Sequence, residues 1–141
     1  MLRRVLLLVL AATACGGAQV SYCDVLATAD ATGRELDSIN ESVTTTPSDE
    51  EIEKLQDITT TYADHVEAAA AAAPEEIRGH WDAVAEYTEL ILRVMERFAD
   101  TGETGAQPEE ARELHASYEK GVKALDKDAA QRCDTGFTRV F

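Results

Sequence analysis

The chain has 141 residues, which suits one domain with one hydrophobic core. Its 27 acidic and 13 basic side chains give a formal net charge of −14 at pH 7. Nucleic acid and anionic lipid headgroups are bound through basic surface, so this acidic excess argues against both as direct partners.

The first fourteen residues have the order of a bacterial signal peptide. Arg3 and Arg4 precede an apolar stretch that begins at Val5 and ends in small residues. The stretch is about ten residues long, half of what a membrane-spanning helix requires. We therefore predict an export signal over residues 1–14 and no permanent span there.

The end of this leader allows two processing routes. Residues 12–15, Ala-Thr-Ala-Cys, resemble the lipobox of bacterial lipoproteins, although Ala12 stands where Leu or Val is usual. The resemblance implies that the thiol of Cys15 receives a diacylglycerol and becomes the new N-terminus, with residues 15–20 as a tether. Residues 12–14 also fit an ordinary small-x-small cleavage site, which would release the protein freely.

The chain contains three cysteines, Cys15, Cys23 and Cys133. An odd number in an exported protein needs an explanation, and lipidation of Cys15 leaves an even pair. Thiols outside the cytoplasm tend to oxidise. We therefore predict a Cys23–Cys133 disulfide, worth about 4 to 5 kcal/mol in the chain-entropy model.

The first two helices are predicted from their start signals and apolar spacing. The first begins near Ser21 or Tyr22, with Ser21 as its N-cap. Asp24 completes an acidic variant of the capping box. This helix is followed by a loop at residues 41–47. The second begins with a full capping box, from Ser48 to Glu51. Its inward positions alternate spacings of three and four, as in a heptad seam: Ile52, Leu55, Thr59, Tyr62, Val66, Ala69 and Ala73.

Prolines mark the starts of the third and fourth helices. Pro74 ends the second helix and suits the first turn of the third, which we expect to be the most buried helix. A loop at residues 100–107 precedes Pro108, which opens a fourth helix ending near Cys133. The inward positions of the third helix are Ile77, Trp81, Val84, Thr88, Ile91, Met95 and Phe98, and those of the fourth are Ala111, Leu114, Tyr118, Val122, Leu125 and Ala129.

These elements predict an all-α, up-down-up-down four-helix bundle over residues 21–136, closed by one disulfide. In that topology the start of the first helix and the end of the fourth share one end, where Cys23 and Cys133 would meet. Residues 137–141 form a short C-terminal tail that can fold back on the bundle.

No residue pattern indicates catalysis. His65, His80 and His115 have no second ligand at zinc or di-iron spacing, and we interpret them as exposed or half-exposed helix residues. We expect no enzymatic activity, no cofactor and no metal. The candidate residues for a small-ligand pocket between the second and third helices are Tyr62, Ala69, His80 and Trp81.

Residues 15–136 resemble a loose group of small exported or lipoprotein-type helical proteins of actinobacteria, including mycobacteria. Their shared features are a short leader, a cysteine near the first helix, a Pro-Glu-Glu-Ile stretch (74–77) followed by Trp81, and a cysteine near the C-terminus. The resemblance implies fold and location and carries no activity. We expect a non-enzymatic cell-envelope protein, held at the extracytoplasmic face of the membrane by a lipid anchor, that binds or scaffolds an unknown envelope partner. The alternatives are a carrier of a small ligand in an interhelical pocket and a freely secreted helical protein.

Overall fold

The computed structural model describes residues 20–43, 47–103, 105 and 108–141, and within them it contains helices and no strand. The helices are α1 (Tyr22–Ser42), α2 (Asp49–Ala72), α3 (Glu75–Thr101) and α4 (Pro108–Arg132). They pack in chain order, α1 on α2, α2 on α3 and α3 on α4. The predicted all-α four-helix bundle is confirmed.

The helix starts follow the local signals, with one exception. At α2, Ser48 N donates to Glu51 Oε2 at 2.8 Å and Glu51 N donates to Ser48 Oγ at 3.3 Å, so the capping box is confirmed. At α1, Ser21 is the N-cap but its side chain makes no capping hydrogen bond, so the predicted acidic box is wrong. An aspartate is one methylene shorter than the glutamate of a capping box, and Asp24 N is satisfied by the Ser21 carbonyl at 3.0 Å.

Three other boundaries differ slightly from the predicted ones. Pro74 stands at the N-cap of α3, one residue before the helix begins. α1 continues to Ser42 and α3 to Thr101, where Gly102 adopts φ 73° and ends the helix. Both loops are therefore shorter than predicted. α3 ends where Gly102 adopts the left-handed conformation, and α1 ends where Val43 adopts an extended backbone.

The core follows the predicted seams in one half of the bundle. In α2 every predicted inward position from Leu55 to Ala73 is buried. In α3 the inward positions from Ile77 to Thr88 are buried, but from Ile91 onward they are half-buried and Phe98 is 38% exposed. The expectation that α3 is the most buried helix is therefore wrong, because the neighbouring helices cover its second half less completely than its first.

The C-terminal tail, residues 137–141, completes the core between α1 and α4, which touch each other at few points. Phe137 and Val140 are each only 4% exposed. Gly33 of α1 leaves the room this requires, since a Cβ there would lie 3.0 Å from Val140 Cγ2. Backbone N–H groups of the tail donate to side chains of both helices: Phe137 to Asp126 Oδ1 (3.0 Å), Thr138 to Asp30 Oδ1 (2.7 Å), and Val140 and Phe141 to the Tyr118 hydroxyl (2.9 and 3.1 Å).

The predicted Cys23–Cys133 disulfide is present, with its Cα atoms 5.5 Å apart. It joins the start of α1 to the end of α4, as the up-down-up-down order requires. Among the described residues, no helix is both long and apolar enough to cross a membrane.

Candidate functional site

The predicted export features lie outside the described residues. These are the signal peptide at residues 1–14, Cys15, and the tether apart from Val20. The Cys23–Cys133 disulfide indicates an oxidising location, and it does so without reference to the leader. Such bonds form and persist in oxidising compartments and are rare in the cytoplasm.

Three of the four residues predicted to line a ligand pocket lie in the packed core. Tyr62, Ala69 and Trp81 are each 0% exposed, so no water-sized space adjoins their side chains. The Trp81 ring is covered by Phe137 at a centroid distance of 4.9 Å, and its Nε1 donates to the Tyr22 hydroxyl at 3.2 Å. The space that a ligand would need is filled by the C-terminal tail.

His80, the fourth of these residues, lies apart from the other three. Its half-buried side chain lines a shallow groove on the surface between α3 and α4, together with Asp82, Ser117 and Lys120. There the helices approach closely, since a Cβ added to Gly121 would lie 2.9 Å from the His80 carbonyl oxygen. The structure does not bring the four predicted residues together.

The other two histidines are half-buried and hold structural contacts. His65 Nδ1 lies 2.8 Å from Thr32 Oγ1, and the same hydroxyl lies 3.1 Å from the Thr28 carbonyl oxygen. His115 packs edge-on against Tyr87. Within the described part of the chain, no group of three His, Cys, Asp or Glu side chains is placed to hold a metal ion.

An open apolar cleft lies at the end of the bundle opposite the disulfide, between the start of α2 and the end of α3. We call it the loop-end cleft. One part of it, which we call the floor, has a volume of about 160 Å³, similar to cavities of about 150 Å³ that hold a benzene ring. All the residues that line this part are apolar: Pro47, Ile52, Leu55, Val94, Met95 and Phe98.

The rim of the loop-end cleft is acidic. It widens into a larger depression of about 630 Å³, which Asp49, Glu53 and Gln56 line together with Ala99 and Gly102. No Lys or Arg lines either part, and neither carboxylate has an ion-pair partner among the described residues. The Ser48 backbone N–H and hydroxyl bond to the carboxylate of the neighbouring Glu51 and lower its pKa.

Sequence reasoning missed this cleft although the signal was present. The seam of α3 continues through Met95 and Phe98, and an apolar seam was interpreted as buried core. What the pattern does not show is that the tail, with Phe137 and Val140, closes only the disulfide half of the bundle.

The chain was compared with family models, with curated proteins and with solved structures. None of the three comparisons finds a match to it.

Proposed function

We propose that this protein is a non-enzymatic binding or scaffolding module of the cell envelope, anchored in the membrane through a lipid on Cys15. In this proposal the loop-end cleft is the surface that receives another envelope component. The observation that carries the proposal is that cleft, which combines an open apolar floor with an acidic rim.

The proposed location rests on two independent features. The leader resembles that of a bacterial lipoprotein, and the Cys23–Cys133 disulfide requires oxidising surroundings. The tether would join the bundle at the disulfide end, because α1 begins at Tyr22. The 24 residues of α2 span about 36 Å, so the cleft would stand several Debye lengths, each about 8 Å, from the membrane surface.

The composition of the cleft supports binding. Specific binding sites combine a mainly apolar lining with a few polar groups that fix orientation. The flexible thioether of Met95 adapts to different shapes, and Phe98 presents a partly exposed ring. Among the described residues, the lining of the cleft includes no histidine, cysteine, serine or threonine, and its titratable side chains are the carboxyls of Asp49 and Glu53.

Site-specific photo-crosslinking in living cells of the organism that makes the protein tests the proposal. A benzophenone amino acid replaces Phe98 in the cleft and, as a matched control, replaces the exposed Ala130 near the disulfide end. We expect discrete adducts with an envelope protein from position 98 and none of the same mass from position 130. Identical adduct patterns from the two positions, or none from either, would count against a binding role for the cleft.

A further inference from the structure

We infer that the occupant of the loop-end cleft is a basic, amphipathic segment of another protein, in which one large apolar side chain enters the floor and Lys or Arg residues flank it. The inference rests on the proposed binding function and names the chemistry of the partner. Three observations carry it: the incomplete burial of the second half of the α3 seam, the size of the floor and the charge of the rim.

The seam of α3 keeps its apolar spacing over its whole length, but among the described residues its first half is buried and its second half is half-buried or partly exposed. Trp81 and Val84 are 0% exposed, whereas Met95 is half-buried and Phe98 is 38% exposed. An apolar helix face that its own chain leaves open is typical of a surface that another chain covers. Grooves between helices receive such segments through apolar anchors.

The floor of the cleft limits what enters it. Its volume of about 160 Å³ is enough for one aromatic or branched aliphatic side chain. The wider depression above it leaves room for the backbone of the same segment. Side chains that fill a pocket at the centre of an interface contribute most of its binding energy.

The rim determines the sign of the charge on the partner. Asp49 and Glu53 line the depression, and no Lys or Arg among the described residues lines it with them. A partner that places Lys or Arg there forms two new ion pairs. The same charge disfavours the two other natural occupants. A second copy of this chain brings a net charge of −14, and anionic lipid headgroups are repelled in the same way.

A synthetic amphipathic peptide of Leu and Lys in helical spacing tests the inference, with a Leu and Glu peptide of the same spacing as its control. Each is titrated into the isotopically labelled full chain at physiological salt, and amide chemical shifts are followed by NMR. We expect the Leu-Lys peptide to shift the amides of Ile52, Met95 and Phe98, and the Leu-Glu peptide to leave them unchanged.

Matched variants separate the cleft from general charge attraction. The pair Asp49→Asn and Glu53→Gln removes both rim charges and should weaken binding about five-fold or more. The control pair Glu75→Gln and Glu67→Gln removes the same charge from exposed positions outside the cleft. Glu75 matches Asp49 because each is the first residue of its helix. This pair should change affinity less than about two-fold. Phe98→Ala, at a partly exposed position that the fold tolerates, should weaken binding about ten-fold.

Several results would overturn the inference. These are equal weakening by the two charge pairs, shifts confined to other faces, and equal binding of the Leu-Glu peptide. Concentration-dependent shifts of cleft amides without peptide would assign the cleft to a second copy, and binding of anionic vesicles through Phe98 would assign it to lipid. If crosslinking at position 98 recovers an envelope partner while the Leu-Lys peptide does not bind, the proposed function stands and the basic character of the partner is wrong.

Discussion

At the scale of single residues, two buried tyrosines differ in whether their hydroxyl groups have a hydrogen-bond partner. The Tyr118 hydroxyl accepts hydrogen bonds from Val140 N and Phe141 N. The Tyr62 hydroxyl is buried with no hydrogen-bond partner among the described residues. The two side chains are both 0% exposed, so they form a matched pair in which only the bonding of the hydroxyl differs.

Removing each hydroxyl should have opposite consequences. Tyr118→Phe leaves the Val140 and Phe141 N–H groups without an acceptor, so we expect a loss of about 1–3 kcal/mol in the free energy of unfolding. Tyr62→Phe removes an unsatisfied buried group and should be neutral or stabilising. Equilibrium unfolding in denaturant measures both changes. A Tyr62→Phe variant that loses as much stability as Tyr118→Phe would contradict this account of the tail.

The tyrosines also give stability a dependence on alkaline pH. Burial raises the pKa of all four, to about 12 for Tyr22 and well above the ordinary value for Tyr62. The unfolded chain releases phenolic protons near pH 10, whereas the folded chain still holds them. Stability from this source is therefore complete below about pH 10 and falls as pH rises through the folded pKa values.

We accordingly expect the free energy of unfolding to decrease between about pH 10 and about pH 12. The decrease should be smaller in Tyr62→Phe, which lacks the most buried of these phenols. Ultraviolet absorbance of phenolate in the folded protein checks the cause, because it should appear above the usual pH for tyrosine. Full phenolate absorbance of the folded protein at about pH 10 would refute the explanation.

At the scale of helices, close approach between α3 and α4 depends on glycine. A Cβ at Gly121 would lie 2.9 Å from the His80 carbonyl oxygen, whereas a Cβ at Gly79, also in α3, would meet nothing within 4 Å. Both positions are helical, so both gain the same intrinsic helix propensity from alanine. Any difference between the two substitutions therefore measures the contact between the helices.

We expect Gly79→Ala to stabilise the protein by about 0.5–1 kcal/mol. Gly121→Ala should destabilise it by about 1–3 kcal/mol, because a helix backbone must move to admit the methyl group. Thermal and denaturant unfolding of both variants provide the comparison. If Gly121→Ala is as stabilising as Gly79→Ala, then α3 and α4 are not in the contact described.

The C-terminal tail acts as a fifth element of the bundle, and its Phe137 can be compared with Phe98 of the loop-end cleft. Phe137 is 4% exposed against Trp81, whereas Phe98 is 38% exposed. We expect Phe137→Ala to cost about 3–5 kcal/mol and to shift the fluorescence of Trp81 to the red. Phe98→Ala should cost less, about 1–2 kcal/mol, since its ring is 38% exposed and therefore buries less surface than that of Phe137. Similar losses from the two variants would show that the tail does not close the core.

At the scale of the whole molecule, the sequence predicted the helices well because their signals are local. The capping residues Ser48 and Glu51, the proline at position 74 and the apolar spacing of α2 all act within a few residues of the structure they specify. The Cys23–Cys133 pairing was predictable as well, because redox context and topology point to the same pair.

The role of the tail and the location of the cleft were not predictable in the same way. The tail is extended and has no periodicity, and its hydrogen bonds join residues far apart in sequence, as Thr138 N does with Asp30. Apolar spacing placed Trp81 and Phe98 on one seam, but it does not show that Phe137 covers the first and that the second stays 38% exposed. Such facts depend on tertiary packing, which is absent from local patterns.

The resulting molecule has two unlike ends. A disulfide, an aromatic cluster and the tail close one end, to which the tether from Cys15 would attach. The other end carries the acidic, apolar loop-end cleft. In the proposed function this polarity directs the cleft away from the membrane, and the orientation depends on lipidation of Cys15.

Intact-mass spectrometry of the protein isolated from the organism that makes it tests that dependence most directly. We predict a chain that begins at Cys15, carries the added mass of a diacylglycerol, and lacks two hydrogens because Cys23 and Cys133 are joined. A chain cleaved at the same region without lipid would identify a freely secreted protein and contradict the anchored orientation. A chain that still begins at Met1 would contradict export itself.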